Sequence, residues 1–254
     1  MRYCFDIETD GFLEDCSTVH CIVLKNIDTN EILKPTNEEA VRLLENADLI
    51  AGHNIIKFDI PVLEKFFGFK TKAKIFDTIV ATRLLFPDIR DSDFKRNDFP
   101  ANCIGRHSLK AWGYRVGNYK EAFDTDWKTF SPAMLDYCVQ DVEVTHSLFT
   151  MIHNRGYSEQ AMDLEHEVAT LIYTQEKHGF TFHKEKAEAL YSKLNARRME
   201  LEEELSKIFL PITTKRVSEK TGKQLKDKVT VFNPSSRLHI ADRLKEKYNW
   251  QPEE

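Results

Sequence analysis

The sequence contains no apolar run approaching the roughly 20 residues that span a bilayer, and it reaches Asp6 and Glu8 before a secretory core could form. Both absences argue against a membrane span and a leader, and predict a soluble, intracellular protein. Its five cysteines (Cys4, Cys16, Cys21, Cys103 and Cys138) are odd in number, include no CxxC pair and have no histidines at zinc-finger spacing. That excludes a disulfide scaffold and a zinc finger, and predicts reduced, mostly buried thiols. His20, His53, His107 and His146 are not spaced as a zinc site either, and none is assigned to catalysis. An overall excess of basic charge is also missing. At −5, the chain cannot grip nucleic acid through its whole surface.

What is present is a chain of 254 residues, 41% apolar and 30% charged, long enough for one or two domains with a sizeable core. Its charge is unevenly spread: residues 206–250 carry eleven Lys and Arg against four Asp and Glu, a net of +7, which leaves −12 for the rest.

Apolar runs predict strands over residues 3–7 and 18–26, broken by Gly11 into a hairpin, a third over 31–34, and buried strands over 48–52 and 75–77. Between them, Asn37 is placed to cap a helix bearing Ala40, Val41, Leu44 and Ala47. A second helix over 60–67 ends at Gly68, and a third runs to Phe86. Residues 87–106, polar and broken by Pro87, Pro100 and Gly105, predict a surface loop or lid, followed by a short helix over 108–112. Ser131-Pro132 opens a helix to about Asn154. Beyond Gly156 come an amphipathic helix over 161–177, a long charged helix over 184–209, a basic connector over 213–228, and a last helix opened by Asn233-Pro234-Ser235. The natural cut falls near Gly156.

Asp6 and Glu8 stand two apart on the first strand, so both point to one face and can bridge a pair of metals. Phosphodiester hydrolysis uses such a pair, and hard divalent cations need hard oxygen ligands. Asp59 opens a helix just after a strand end, where it can be a cap or a ligand. Asp141 lies among Leu135, Cys138, Val142 and Leu148 on an apolar helix face, where an unpaired carboxylate would be costly. Tyr137, one turn earlier, shares that face and can orient a water rather than act as base, since a phenol near pKa 10 is a poor base at pH 7.

Phe5-Asp6-Ile7-Glu8-Thr9-Asp10-Gly11, Asn54-xxx-Phe58-Asp59 and Tyr137-xxx-Asp141, in this order, resemble the three exonuclease motifs of the DEDD superfamily, in its tyrosine subtype. Phe76-Asp77-Thr78, RHSLKAWGYRVG (106–117), residues 165–180 and VFNPSSRLHI (231–240) extend the resemblance to the N-terminal part of T-seven-type bacteriophage family A DNA polymerases. The resemblance implies an RNase H-like (DnaQ-like) α/β exonuclease domain over residues 1–156, with a mixed sheet flanked by helices. Residues 157–254 would be a helical extension like the start of the polymerase palm and thumb. It also implies a 3′–5′ proofreading exonuclease with two Mg2+ or Mn2+ ions, acting on single-stranded DNA 3′ ends in the host bacterial cytoplasm. Asp6, Glu8 and Asp141 would hold the tighter metal, and Asp6 with Asp59 the second. Thr9, Phe12, Asn54 and Phe58 would meet the terminal nucleotide, and the site would lie at the sheet edge between the first strand and the last domain helix. Two readings follow, a piece of a longer polymerase or a split subunit that works with a separate polymerase chain, the latter slightly favoured by the intact NPSSR segment; no membrane is expected. For Phe12, a turn hydrophobe packed on the sheet is the alternative. For the whole, an RNA-trimming exonuclease and an inactive structural module that binds DNA ends are the others. The basic connector, with Lys215, Arg216, Lys220, Lys223, Lys226 and Lys228, reads as a solvated loop or as a contact to duplex backbone or partner.

Overall fold

The structure is a computed structural model describing residues 1–118, 126–218 and 222–251. Lys220 of the basic connector lies outside these residues. The chain divides into two compact units, Met1–Gly179 and Phe180–Glu254.

The first unit is built on a sheet of five strands: β1 (Arg2–Thr9), β2 (Val19–Asn26), β3 (Ile32–Leu33), β4 (Leu49–Gly52) and β5 (Lys74–Asp77), in the order β3-β2-β1-β4-β5. β1 pairs antiparallel with β2 and parallel with β4, which in turn pairs parallel with β5. This mixed sheet with helices on both faces is the RNase H-like arrangement. The hairpin at the start places β1 in the centre of the sheet, not at an edge, so the site expected at a sheet edge lies instead at the end of the central strand.

Alternation along β1 divides the core. Phe5 and Ile7 face a cluster closed by α1 (Asn37–Glu45) and α2 (Asp59–Phe67), while Cys4 faces one closed by α6 (Pro132–His153), with Cys138, Val142 and Leu148. Thr36, not Asn37, caps α1, through a reciprocal capping box with Glu39. Asn37 is the first helical residue and its side chain donates to the Val19 carbonyl at 2.8 Å. Gly68 ends α2 in the left-handed region, at φ 65°. Ser131 caps α6 with Pro132 at its first turn, and Lys25 of β2 ties the helix to the sheet through Glu143 at 2.7 Å.

The segment expected to be a loop or lid is folded. α3 (Thr78–Leu85) leads into α4 (Ile89–Asp93) and, after a 3-10 turn over Ala101–Cys103, α5 (Leu109–Val116). Asp93, almost fully buried, receives Arg115 on both oxygens, at 3.0 and 2.8 Å, and the Gly105 amide at 2.9 Å. A pair 22 residues apart in sequence thus closes the segment, and no local pattern announces it.

α7 (Glu159–His178) packs with the first unit. Its His166 donates from Nδ1 to the Met162 carbonyl at 2.7 Å, and its Nε2 accepts the Asp77 amide at 2.7 Å. The compact unit therefore continues past Gly156 to Gly179.

The second unit holds α8 (Lys184–Ile208), the antiparallel pair β6 (Ile212–Val217) and β7 (Gln224–Thr230), and α9 (Arg237–Tyr248), capped by Ser236. The expected basic connector is thus largely a strand pair. Charged pairs such as Lys184–Glu188 and Lys207–Glu203 support α8 along its length, yet neither α8 nor α9 has a buried residue.

Candidate active site

Three elements meet at the end of β1. Asp6 and Glu8 leave it on the α6 side, and one potential ligand atom each of Asp6, Glu8 and Cys138 lie within 4.8 Å of one another. The Cys138 thiol sits 3.8 Å from Asp6 Oδ2 and 3.5 Å from the Asp6 carbonyl oxygen. Burial, then a hydrogen bond with Cys21 and the nearby carboxylates, push that thiol well above its ordinary value. A neutral, soft thiol is a poor ligand for a hard cation, so the carboxylate oxygens are the donors that fit Mg2+ or Mn2+.

Asp59 enters from the opposite face of the sheet. It is the first residue of α2, no side chain caps that helix, and the carboxyl is 3% exposed. Burial first, then the charges of Asp77 and Asp141, push it up to about 8, against hydrogen bonds from its own amide and from that of Ile7. The Ile7 amide lies between Asp6 and Glu8 in sequence, so Asp59 abuts the stretch of β1 that bears both. Asp141, also buried, reaches the same place from α6. A buried carboxylate that feels the charge of others favours protonation or a nearby cation.

The loop that presents Asp59 is held from below. Asp77, at the end of β5, accepts the amides of Asn54 (2.8 Å), Ile56 (3.1 Å) and Ile79 (3.0 Å). Asn54 takes a left-handed backbone, φ 68°, which asparagine tolerates better than other non-glycine residues. The Thr78 hydroxyl gives its one proton to the Gly52 carbonyl, at 3.1 Å, so His53 Nδ1 is the donor in its 2.7 Å contact with that oxygen. Gly52 is required here, since a Cβ would stand 2.1 Å from Ile55 Cγ2 and 3.0 Å from the Phe5 carbonyl oxygen.

The residues expected to touch substrate are divided. Phe12 stands 79% exposed rather than packed on the sheet. Phe58 is half-buried against the core, and Thr9 is buried with its hydroxyl donated to the Gly11 carbonyl at 2.8 Å. Sequence reading missed Asp77, Cys138 and Trp127. The Trp127 ring meets Tyr137 edge-on at 5.6 Å, and its carbonyl is 2.9 Å from His20 Nε2 on β2. The Phe76-Asp77-Thr78 resemblance named Asp77, and the apolar face beside Asp141 named Cys138, but neither was given a role at the site, and nothing pointed to Trp127.

A family profile described as 3′–5′ exonuclease matches residues 12–156. The chain belongs to this family. The matched span includes Asp59, Tyr137 and Asp141, while Asp6 and Glu8 precede it. Among curated proteins, the chain is similar to the DNA-directed DNA polymerases of Escherichia phage T7 (30% identical) and Enterobacteria phage T3 (29%), each over 80% of this chain and 36% of the relative. It therefore spans about a third of those polymerases. Among solved structures, it is similar to Brucella melitensis NrnC bound to pGG, at 18% identity and a TM-score of 0.48, over 72% of this chain and 90% of that one. Escherichia coli RNase D shares 14% identity at 0.44, over 68% and 45%.

Proposed function

We propose that the chain is a metal-dependent 3′–5′ exodeoxyribonuclease of proofreading type, releasing nucleoside 5′-monophosphates. One observation carries the reading: buried Asp59 accepts the Ile7 amide between Asp6 and Glu8 and feels the charge of Asp141, which brings carboxylates of β1, α2 and α6 toward the end of β1, where Asp6 and Glu8 share one ligand-sized group with Cys138 and without Asp59 or Asp141. Asp6, Glu8 and Asp141 would hold one divalent ion, and Asp6 with Asp59 a second. Bound there, the ions supply Lewis acidity and a nucleophile near neutral pH.

The chain's own residues do the rest. Tyr137, braced edge-on by Trp127, orients the attacking water from one turn before Asp141. Asn54, fixed by Asp77, and the exposed ring of Phe12 engage the terminal nucleotide, with Phe58 and Thr9 forming the floor behind them. A DNA substrate is favoured by the similarity to two phage DNA polymerases. The same similarity, with the exposed apolar residues of the second unit, supports association with the remainder of a family A polymerase, on this chain or another.

The test is degradation of 3′-labelled and 5′-labelled single-stranded DNA, and of the matching RNA, in Mg2+ or EDTA. Metal-dependent loss from the 3′ end of DNA, abolished in Asp6→Ala, is the expected result. Equal or faster RNA trimming would replace DNA as substrate, and a folded but inert wild type would make the chain a structural module.

A further inference from the structure

Away from the carboxylates, a cavity of about 430 Å³ opens between the end of α3, α4, α5 and the end of α6. Met151, on its wall, lies ten residues beyond Asp141 on α6, about 15 Å along the helix axis. Its volume is within the roughly 300–1,000 Å³ of small-ligand sites. Three guanidiniums line it, Arg96, Arg115 and Arg155, against the carboxylates of Asp88 and Asp93.

Asp93 is fully engaged. Burial alone would raise its carboxyl, but the hydrogen bonds from Arg115 and Gly105 outweigh that and hold it below the usual range. Arg115 spends Nε and Nη2 on this pair. Its Nη1 and the Trp112 indole Nε1 are both buried, with no acceptor among the described residues. A buried donor left without an acceptor is costly, and both residues line the same cavity. The walls are flat: Arg155 lies 4.5 Å over the Phe86 ring, Arg115 4.6 Å over Trp112, and the two rings are 5.1 Å apart.

We propose that this cavity is a second binding site, taking the phosphate monoester of a mononucleotide. The phosphate offers the acceptors that Arg115 and Trp112 lack, its charge answers Arg96 and Arg155 at the rim, and half-buried Phe86, rather than the buried Trp112, is left to meet a base. The site is independent of the carboxylate cluster and of the chemistry assigned to it.

The experiment is calorimetric titration of the full chain in EDTA with deoxyadenosine 5′-monophosphate, inorganic phosphate and deoxyadenosine. The nucleotide is expected to bind one to one, phosphate more weakly, and deoxyadenosine more weakly still. Arg155 and Arg96 are exposed, so Arg155→Ala and Arg96→Gln should fold and weaken the nucleotide about tenfold or more, the value of one charged contact. Asp6→Ala should leave its affinity unchanged. No binding in EDTA, deoxyadenosine binding as tightly as the nucleotide, or a loss in Asp6→Ala with none in the two arginine variants would each overturn the assignment.

Discussion

Asp59 is where burial and function pull hardest against each other. Its carboxyl is raised to about 8 in the folded protein by burial and by the charges of Asp77 and Asp141, whereas an unfolded aspartate titrates near 3.9. Between those values the native state holds a proton that the unfolded chain has released. In metal-free protein the stability conferred by that proton is therefore complete below about 4 and lost as pH rises through about 8. We expect the melting temperature in EDTA to fall across that window and the slope to flatten in Asp59→Asn; a wild-type profile already flat would remove Asp59 from the buried cluster. Asp77 does a different job with the same side chain: its three backbone contacts, not its charge, hold the loop that carries Asn54.

At the level of elements, the fold holds its site by pinning helices to strands. α6 is joined to β2 through Lys25 and Glu143, α7 to β5 through His166, and α4 to α5 through Asp93 and Arg115. The last is a buried pair, and removing one partner strands the other charge. Asp93→Ala should cost about 3–5 kcal/mol and release the amide protection of residues 93–105 before that of the sheet, measured by hydrogen exchange. Uniform loss across the first unit would mean that the segment is not separately held. These pins were illegible in the sequence because their partners lie 118, 89 and 22 residues apart. The elements themselves were legible where local chemistry was sufficient: Ser131-Pro132 opening α6, Gly68 closing α2, and the alternation that turns Asp6 and Glu8 to one face of β1.

For the whole molecule, the contrast between the two units is the main fact. The first has two apolar clusters of its own. The second exposes Phe182, Leu190, Tyr191 and Leu194 on and before a helix with no buried residue, the kind of grouped apolar surface that marks an interaction face. If this surface meets the remainder of a polymerase, a Leu190→Asp/Leu194→Asp variant should keep its activity on single-stranded DNA. It should lose the primer-extension activity that co-elutes with the protein purified from its native source; co-elution unchanged by the variant would clear this face of that role. Among the described residues no helix is long and apolar enough to cross a membrane.

The sequence by itself determined the five strands of the sheet, the start of α6 and the end of α2, and the carboxylates proposed as metal ligands, because periodicity, capping and motif spacing are written in neighbouring residues. Only the tertiary structure decided that β1 is central, that Asp59 is buried and accepts the Ile7 amide, that the Trp127 ring meets Tyr137, and that the segment over 87–106 is folded around Asp93. Each of these depends on burial and on partners distant in the chain, which set desolvation and charge only once the backbone has closed.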